Sequence, residues 1–243
     1  MSASSEHNGR PDRGEDIPTS FFESAGDDVV ATILCRGPWD PGTAHGGPIA
    51  ALIGRQVEIF DADDAMVTAR LTIELVRPVP LGRLTLVPTV LRPGKRVRLI
   101  GISVLAEGVE VTRAVAVRIL RTPIDVGSSR PDSQIHVDLP ADCAGAAGLA
   151  PERVGIIDGV ELRSAHGSAV EPGPAFYWFR VHRPLVDDEP ITPLTRALIA
   201  ADFGNGIGSV LRIDRHLFIN PEVTVHLWRL PEGEWVGNDA RTW

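Results

Sequence analysis

The sequence predicts an α+β fold in which one unit, an apolar helix followed by antiparallel strands, is used twice. After Gly47, apolar residues recur at the spacing of a buried helix face. From Val67 the apolar residues alternate with polar ones, which is typical of a half-buried strand. Beyond residue 154 a second helix and further strands follow, so the order of elements begins again. One sheet wrapped around one apolar helix would bury the hydrophobic side chains of each unit.

The first half of the chain is predicted to form one strand, one helix and four long strands. The predicted strands are residues 29–34, 67–75, 83–91, 97–105 and 109–120. Pro93-Gly94 and Glu107-Gly108 are the turn signals between the last three. The apolar residues on one side of the helix are Ile49, Leu52, Ile53, Val57 and Phe60.

The second half repeats this order less completely. Residues 123–153 are rich in Pro, Gly, Ser, Asp and Ala without any period, which predicts a linker. Thr192-Pro193 is a good helix start, since threonine caps helices and proline fits their first position. The predicted helix is 194–203, and the predicted strands are 159–164, 176–182, 218–230 and 234–243. The chain therefore divides into a disordered tail (1–16), an N-terminal unit (17–122), the linker (123–153) and a C-terminal unit (154–243).

Composition narrows the class of protein. The net charge of −8 argues against a dedicated nucleic-acid binder, and no apolar run approaches the roughly 18 residues that span a bilayer. The polar tail lacks the hydrophobic region of a signal peptide. Cys35, Cys143 and the seven histidines show no metal or redox spacing, so we expect a cytoplasmic protein without a metal.

The stretch from Trp39 to Pro48 places His45, Gly46 and Gly47 at the mouth of the first helix. Glycines allow a ligand to approach the backbone closely, and the first N–H groups of a helix favour negative charge. Such a helix end suits the oxygen of a thioester as it becomes an oxyanion. The alternative is a plain glycine turn with a capping histidine.

Several segments resemble the acyl-CoA thioesterases of double hot-dog fold, and more narrowly the bacterial proteins related to acyl-CoA thioesterase II. The matching segments are residues 39–51, 75–82, 91–96, 201–206 and 218–221, the last leading to His226 and Arg229. Together these segments span roughly residues 20–243, and their order and spacing carry the resemblance. The resemblance implies two antiparallel sheets, each wrapped around a central helix, with acyl-CoA bound between the two units.

The resemblance also implies the reaction, which is hydrolysis of an acyl-CoA thioester to free acid and CoA in lipid metabolism. No cofactor is needed, because coenzyme A is part of the substrate. Asp202 matches the catalytic aspartate of the second helix, and Gly204 and Asn205 of the same segment are expected to bind substrate. In the thioesterase II branch a threonine and a glutamine help this aspartate to hold the attacking water.

The chain departs from that pattern in its second unit. Phe218 stands in the place of the threonine, although Asn220 nearby could offer an amide. The glutamine should come from a last strand beyond Trp243, and two strands of the first unit have no counterpart in the second. The C-terminal hot-dog is therefore expected to be incomplete, with an exposed edge that favours a homo-oligomer. A non-catalytic acyl-CoA-binding protein is the alternative function.

Asp202 is the expected general base. A carboxylate buried on a helix facing its sheet would have a raised pKa, which makes it a better base for water. The alternative is a helix-end aspartate that satisfies the amides of residues 204–208. The first helix has Gly54 and Arg55 where single-unit hot-dog thioesterases carry an acid, so we expect one active site per chain.

His45 has two possible active roles besides capping. It could position the thioester together with Gly46 and Gly47. Alternatively, Asp40 and His45 resemble the Asp/His dyad of hot-dog enoyl-CoA hydratases, which add water across a double bond.

A basic cluster flanks the Pro93-Gly94 turn. Arg92, Lys95 and Arg96 could contact the phosphates of coenzyme A, since arginine matches phosphate geometry. A solvated hairpin tip explains the same residues.

Overall fold

Two antiparallel sheets and two central helices form the core of residues 16–123, 125, 136–146 and 153–243, which are the residues that the computed structural model describes. Residues 1–15 of the predicted tail lie outside them. The elements in chain order are β1 (Phe22–Ala25), β2 (Asp28–Ala31), α1 (Gly46–Phe60), β3 (Met66–Leu75), β4 (Gly82–Arg92), β5 (Val97–Ala106), β6 (Val109–Leu120), β7 (Ala144–Gly145), β8 (Val160–His166), β9 (Ala175–Val181), α2 (Pro193–Ala201), α3 (Gly204–Ile207), β10 (Glu222–His226) and β11 (Trp235–Ala240).

The first sheet wraps around α1. Its strand order is β1-β2-β4-β5-β6-β3-β10, and every neighbouring pair is antiparallel. Along β5 the side chains of Ile100, Ile102 and Val104 are buried while their neighbours are not, as the alternating pattern predicts. The predicted apolar face of α1 is buried as well, except for Phe60, which is 41% exposed in the last turn.

The second sheet is smaller and packs on α2. Its order is β11-β9-β8-β7. Thr192 caps α2 by accepting a hydrogen bond from the Thr195 N–H, and Pro193 is the first helical residue, as predicted. The short strand β7 lies inside the segment predicted as a linker, where it pairs with β8.

The two helices lie side by side and run antiparallel. A Cβ on Gly47 would lie 2.9 Å from the Ile199 carbonyl, and a Cβ on Gly54 would overlap Leu198, so the two glycines allow close approach. At the other end, the Arg55 guanidinium pairs with Glu189. The antiparallel packing brings the N-terminus of α1 to the C-terminus of α2.

Two strand predictions differ from the structure. Residues 218–230 were expected in the second unit, but β10 within them pairs with β3, with Val223 opposite Ile73, and so extends the first sheet. The predicted strand 29–34 ends at Ala31, and residues 33–35 form a turn of 3-10 helix instead. Strand β1 has no alternating pattern long enough to predict it.

Strands β10 and β11 each end a sheet, with one edge that pairs with no strand in the described part of the chain. Unpaired N–H and C=O groups on such an edge can pair with another chain. We therefore expect self-association, seen in light scattering as particles heavier than the 26.2 kDa chain as its concentration rises. A monodisperse monomer at high concentration would contradict this prediction.

Candidate active site

The site begins at the N-terminus of α1, where two backbone hydrogen bonds hold the preceding loop. The His45 N–H donates to the Cys35 carbonyl at 2.7 Å, and the Ala44 N–H donates to the Val79 carbonyl at 2.8 Å. His45 is the N-cap of the helix, as its position predicts. Because the loop is held on both sides, the imidazole has a defined place at the positive end of the helix dipole.

Asp202 meets this helix end from the opposite side. It is the C-cap of α2, a position where the dipole of its own helix disfavours a negative charge. The antiparallel packing places its carboxylate against α1 instead, with Oδ2 2.8 Å from His45 Nδ1. The Asn220 amide donates to Oδ1 at 2.9 Å, and Asn205 in turn donates to Asn220 at 2.9 Å. The structure thus brings together His45, Asp202, Asn205 and Asn220.

These contacts determine the charge of the carboxyl group. Burial raises the pKa of Asp202, because water no longer solvates its charge. Electrostatic attraction to His45 and hydrogen bonds from His45, Asn220 and the Gly47 N–H lower it by more, so the pKa of Asp202 lies below its ordinary value. The sequence-based expectation of a raised pKa is therefore wrong, since it considered burial without these partners.

An ionised Asp202 also determines which nitrogen of His45 carries a proton. The 2.8 Å contact requires a hydrogen on Nδ1, because a carboxylate only accepts. The Gly47 nitrogen lies 3.1 Å from the same Nδ1 atom, but a protonated Nδ1 cannot accept. The Gly47 N–H is therefore assigned to the Asp202 carboxylate, to which it also contributes a hydrogen bond.

Gly46 packs directly against the Asp202 carboxylate. A Cβ at this position would lie 2.7 Å from Asp202 Oδ2 and 2.8 Å from Oδ1, so only glycine fits without movement. The Gly46 N–H is the first of the helix and has no hydrogen-bond partner among the described residues. It is therefore available to a ligand.

A cavity of about 1090 Å³ opens onto this helix end. His45, Gly46, Asp202, Asn205 and Asn220 form its polar part. Most of the remaining wall is apolar, and includes Trp39, Leu75, Val79, Ile156, Phe203, Ile207, Leu217 and Phe218. The cavity draws on both halves of the chain, so an apolar ligand in it would lie between the two units.

Two other predicted site residues lie outside the cluster of His45, Asp202, Asn205 and Asn220. Asp40 is exposed and caps its own turn, accepting from the Gly42 N–H at 2.7 Å, and the carboxylate that His45 contacts is Asp202. The Asp40–His45 dyad of the hydratase hypothesis is therefore not formed. Gly204 begins α3 and is not among the residues that line the cavity, and a Cβ on it would lie 3.8 Å from the Asn238 amide nitrogen.

The basic hairpin lies at the far end of α1. Arg98 next to it pairs with Asp61, the C-cap of α1, at 2.5 Å. Helix α1 has 15 residues and is about 22 Å long, so Arg92, Lys95 and Arg96 lie well away from His45. Their contact with CoA phosphates stays a prediction.

Sequence reasoning missed other residues of the cavity. Arg36 and Arg153 line it, but no motif marks them, and Arg77 lies in the matching segment 75–82 without a predicted role. Trp39 and Phe218 meet edge to face, with ring centroids 5.1 Å apart, across the 179 positions that separate them in sequence. In the described ranges no group of three His, Cys, Asp or Glu side chains could hold a metal ion, and no helix there is long and apolar enough to cross a membrane.

Two family models together match most of the chain. Residues 35–119 match the family model of the acyl-CoA thioesterase N-terminal domain, and residues 140–243 match that of the C-terminal domain. None of the curated proteins compared with the chain matches its sequence.

Solved structures show the same fold at low sequence identity. A provisionally assigned thioesterase II from Thermobifida fusca has a TM-score of 0.67 at 14% identity, over 90% of this chain and 84% of that one. A provisionally assigned thioesterase from Novosphingobium aromaticivorans has a TM-score of 0.58 at 21% identity, over 75% of this chain and 71% of that one. An acyl-CoA thioesterase II from Mycobacterium marinum has a TM-score of 0.50 at 14% identity, over 75% of this chain and 66% of that one. The predicted double hot-dog fold is confirmed.

Proposed function

Because the chain belongs to the acyl-CoA thioesterase family, we propose that it hydrolyses a fatty acyl-CoA thioester to free acid and CoA at the His45–Asp202 pair. The observation that carries the proposal is the pair itself. A buried, ionised carboxylate contacts an imidazole at 2.8 Å, and both groups line one cavity with a free helix N–H. A titratable pair of this kind in a cleft is typical of a reactive centre.

The Gly46 N–H supplies the place for the thioester oxygen. As the water attacks, the carbonyl oxygen gains negative charge, which an N–H at the positive end of α1 stabilises. The Gly47 N–H is engaged with Asp202, so Gly46 is the donor that remains. Both glycines of the predicted motif therefore take part, one toward the ligand and one toward the carboxylate.

Asp202 supplies the negative charge that activation of water requires. Its lowered pKa keeps it ionised at neutral pH, and Asn220 and Asn205 hold it in one orientation. The two amides give Asp202 polar partners in a site where Phe218 stands at the threonine position.

The apolar wall favours a fatty acyl group. The cavity volume of about 1090 Å³ is slightly above that of ordinary ligand sites, which span roughly 300–1,000 Å³. Burial of methylene groups against Leu75, Val79 and Ile207 would contribute about 0.8 kcal/mol each. The proposal includes a cytoplasmic reaction in lipid metabolism, which the unpaired thiols of Cys35 and Cys143 support.

A panel of acyl-CoAs of increasing chain length tests the proposal. We expect thiol release that grows with apolar chain length, without loss of enoyl absorbance from enoyl-CoAs. Phe218 at the threonine position and the open edges of β10 and β11 favour a second candidate, a non-catalytic acyl-CoA-binding protein. Tight binding without thiol release would support that candidate and overturn the first, and loss of enoyl absorbance would restore the hydratase hypothesis.

A further inference from the structure

We infer that the attacking water gives its proton to Nε2 of His45, and that Asp202 acts through His45 instead of on the water directly. The inference rests on the proposed function and assigns to Asp202 a positioning role instead of the predicted role of general base. It follows from which atoms of the pair already have hydrogen-bond partners and which can still bind a water.

The atom that can still accept a proton is Nε2 of His45. Nδ1 lies 2.8 Å from Asp202 Oδ2 and keeps its hydrogen in that contact. The proton that a charged ring releases is therefore the one on Nε2. No hydrogen bond joins Nε2 to a residue in the described ranges, and Nε2 is not among their buried unpaired atoms. His45 lines the cavity and keeps 14% of its side chain exposed, against 4% for Asp202.

The carboxylate of Asp202 has little room for a water molecule. Oδ1 accepts from Asn220 at 2.9 Å, Oδ2 contacts His45, and the Gly47 N–H adds a further hydrogen bond. The Gly46 Cα lies so close that even one added carbon would reach both oxygens. A carboxylate held in this way is well placed to orient an imidazole and to stabilise its positive charge.

The ring itself is held by packing. It lies against Phe203 with centroids 4.7 Å apart and planes 30° apart, and Phe203 lies against Phe179 with centroids 4.9 Å apart. The next residue is Gly46, whose N–H is the proposed donor to the thioester oxygen. A water on Nε2 and a carbonyl held at that N–H would share one cavity, since His45 and Gly46 both line it.

The step is balanced. The water oxygen bonds to the acyl carbon, the carbonyl π pair moves onto oxygen, and the water proton passes to Nε2. When the carbonyl reforms, the C–S bond breaks, its electron pair leaves on sulfur, and the thiolate takes the proton from Nε2. One water is consumed, a carboxylic acid and a thiol are formed, and His45 returns to its neutral form. Asp202 stays ionised throughout and stabilises the imidazolium between the two steps.

The test is the pH dependence of kcat/KM with the most reactive acyl-CoA of the panel. As a class, imidazoles titrate near pH 6.5 and carboxyl groups near pH 4, so we expect the rate to fall as the pH drops through the imidazole range. The other titratable or charged groups that line the cavity are Arg36, Asp40, Arg77 and Arg153. As classes, guanidinium groups stay charged in this range and carboxyl groups titrate below it, so the imidazole range is the informative one.

Variants give an independent readout. We expect His45→Gln to lose about 10²–10⁴-fold in kcat/KM together with the acid limb, and added imidazole to restore part of the activity of His45→Ala. His166→Gln, at the exposed end of β8, is the matched control and should resemble the wild type.

Three outcomes separate the claims. A His45→Gln variant within about fivefold of the wild type, with an acid limb in the carboxyl range, would overturn the inference and leave the proposed function. An acid limb in the imidazole range of the wild-type enzyme supports the inference even if a variant fails to fold. A wild-type chain that releases no thiol would overturn both.

Discussion

Asp202→Asn is expected to lower kcat for thiol release by about 10²–10⁴-fold, and Asp202→Ala by a similar factor. The asparagine keeps the size of the side chain but removes the negative charge that stabilises the imidazolium, and its single oxygen cannot accept from both Asn220 and His45. Steady-state thiol release from an acyl-CoA measures the loss, and thermal unfolding checks that the variant is folded. Unchanged hydrolysis would remove Asp202 from the mechanism.

The matched control for this variant is Asp40→Asn. Asp40 lines the same cavity, but it is exposed and its carboxylate accepts from the Gly42 N–H, which an asparagine oxygen can also do. We expect turnover close to that of the wild type. A loss as large as that of Asp202→Asn would return Asp40 to the reaction and favour the hydratase hypothesis.

Gly46→Ala is expected to lower kcat/KM by about 10²-fold, since a displacement near 1 Å at a reacting group can cost that much. The new Cβ would lie 2.7 Å and 2.8 Å from the two carboxylate oxygens, and Asp202 would have to move away from His45 or Asn220. The backbone of Gly46 is helical and has no positive φ, so the alanine itself adds no backbone strain. Thiol release and thermal unfolding together separate a displaced carboxylate from a misfolded chain.

Gly206→Ala provides the control for that effect. Gly206 also lines the cavity, but nothing lies within 4 Å of the Cβ that the substitution would add. We expect near wild-type kcat/KM. Equal losses in the two alanine variants would show that the cavity tolerates no added carbon anywhere, and that the contact between Gly46 and Asp202 has no special role.

Local patterns predicted most of the individual elements. Strand β6 has the bounds that the alternation predicts, and the Thr192-Pro193 start of α2 is confirmed in its capping contact. Alternation does not say which sheet a strand joins, however. Strand β10 pairs with β3 across about 150 residues of sequence, a choice that depends on the packing of the two halves against each other.

The candidate site was predicted in pieces that the sequence could not connect. The capping position of His45 follows from the glycines after it, and Asp202 follows from a family resemblance. Their contact depends on the antiparallel packing of α1 on α2, which Gly47 and Gly54 permit through close approach to Ile199 and Leu198. The predicted direction of the Asp202 pKa shift was wrong for the same reason, because its partners come from two other segments, residues 45–47 and Asn220.

The central claim is that His45 and Asp202 act as one hydrolytic unit, and a double-mutant cycle tests it most directly. Single-turnover thiol release would be measured for the wild type, His45→Gln, Asp202→Asn and the double variant. Groups that act as a unit are strongly non-additive, so we predict that the double variant is about as slow as the slower single variant. If the two losses simply multiply in the double variant, the residues act independently and the claim is contradicted.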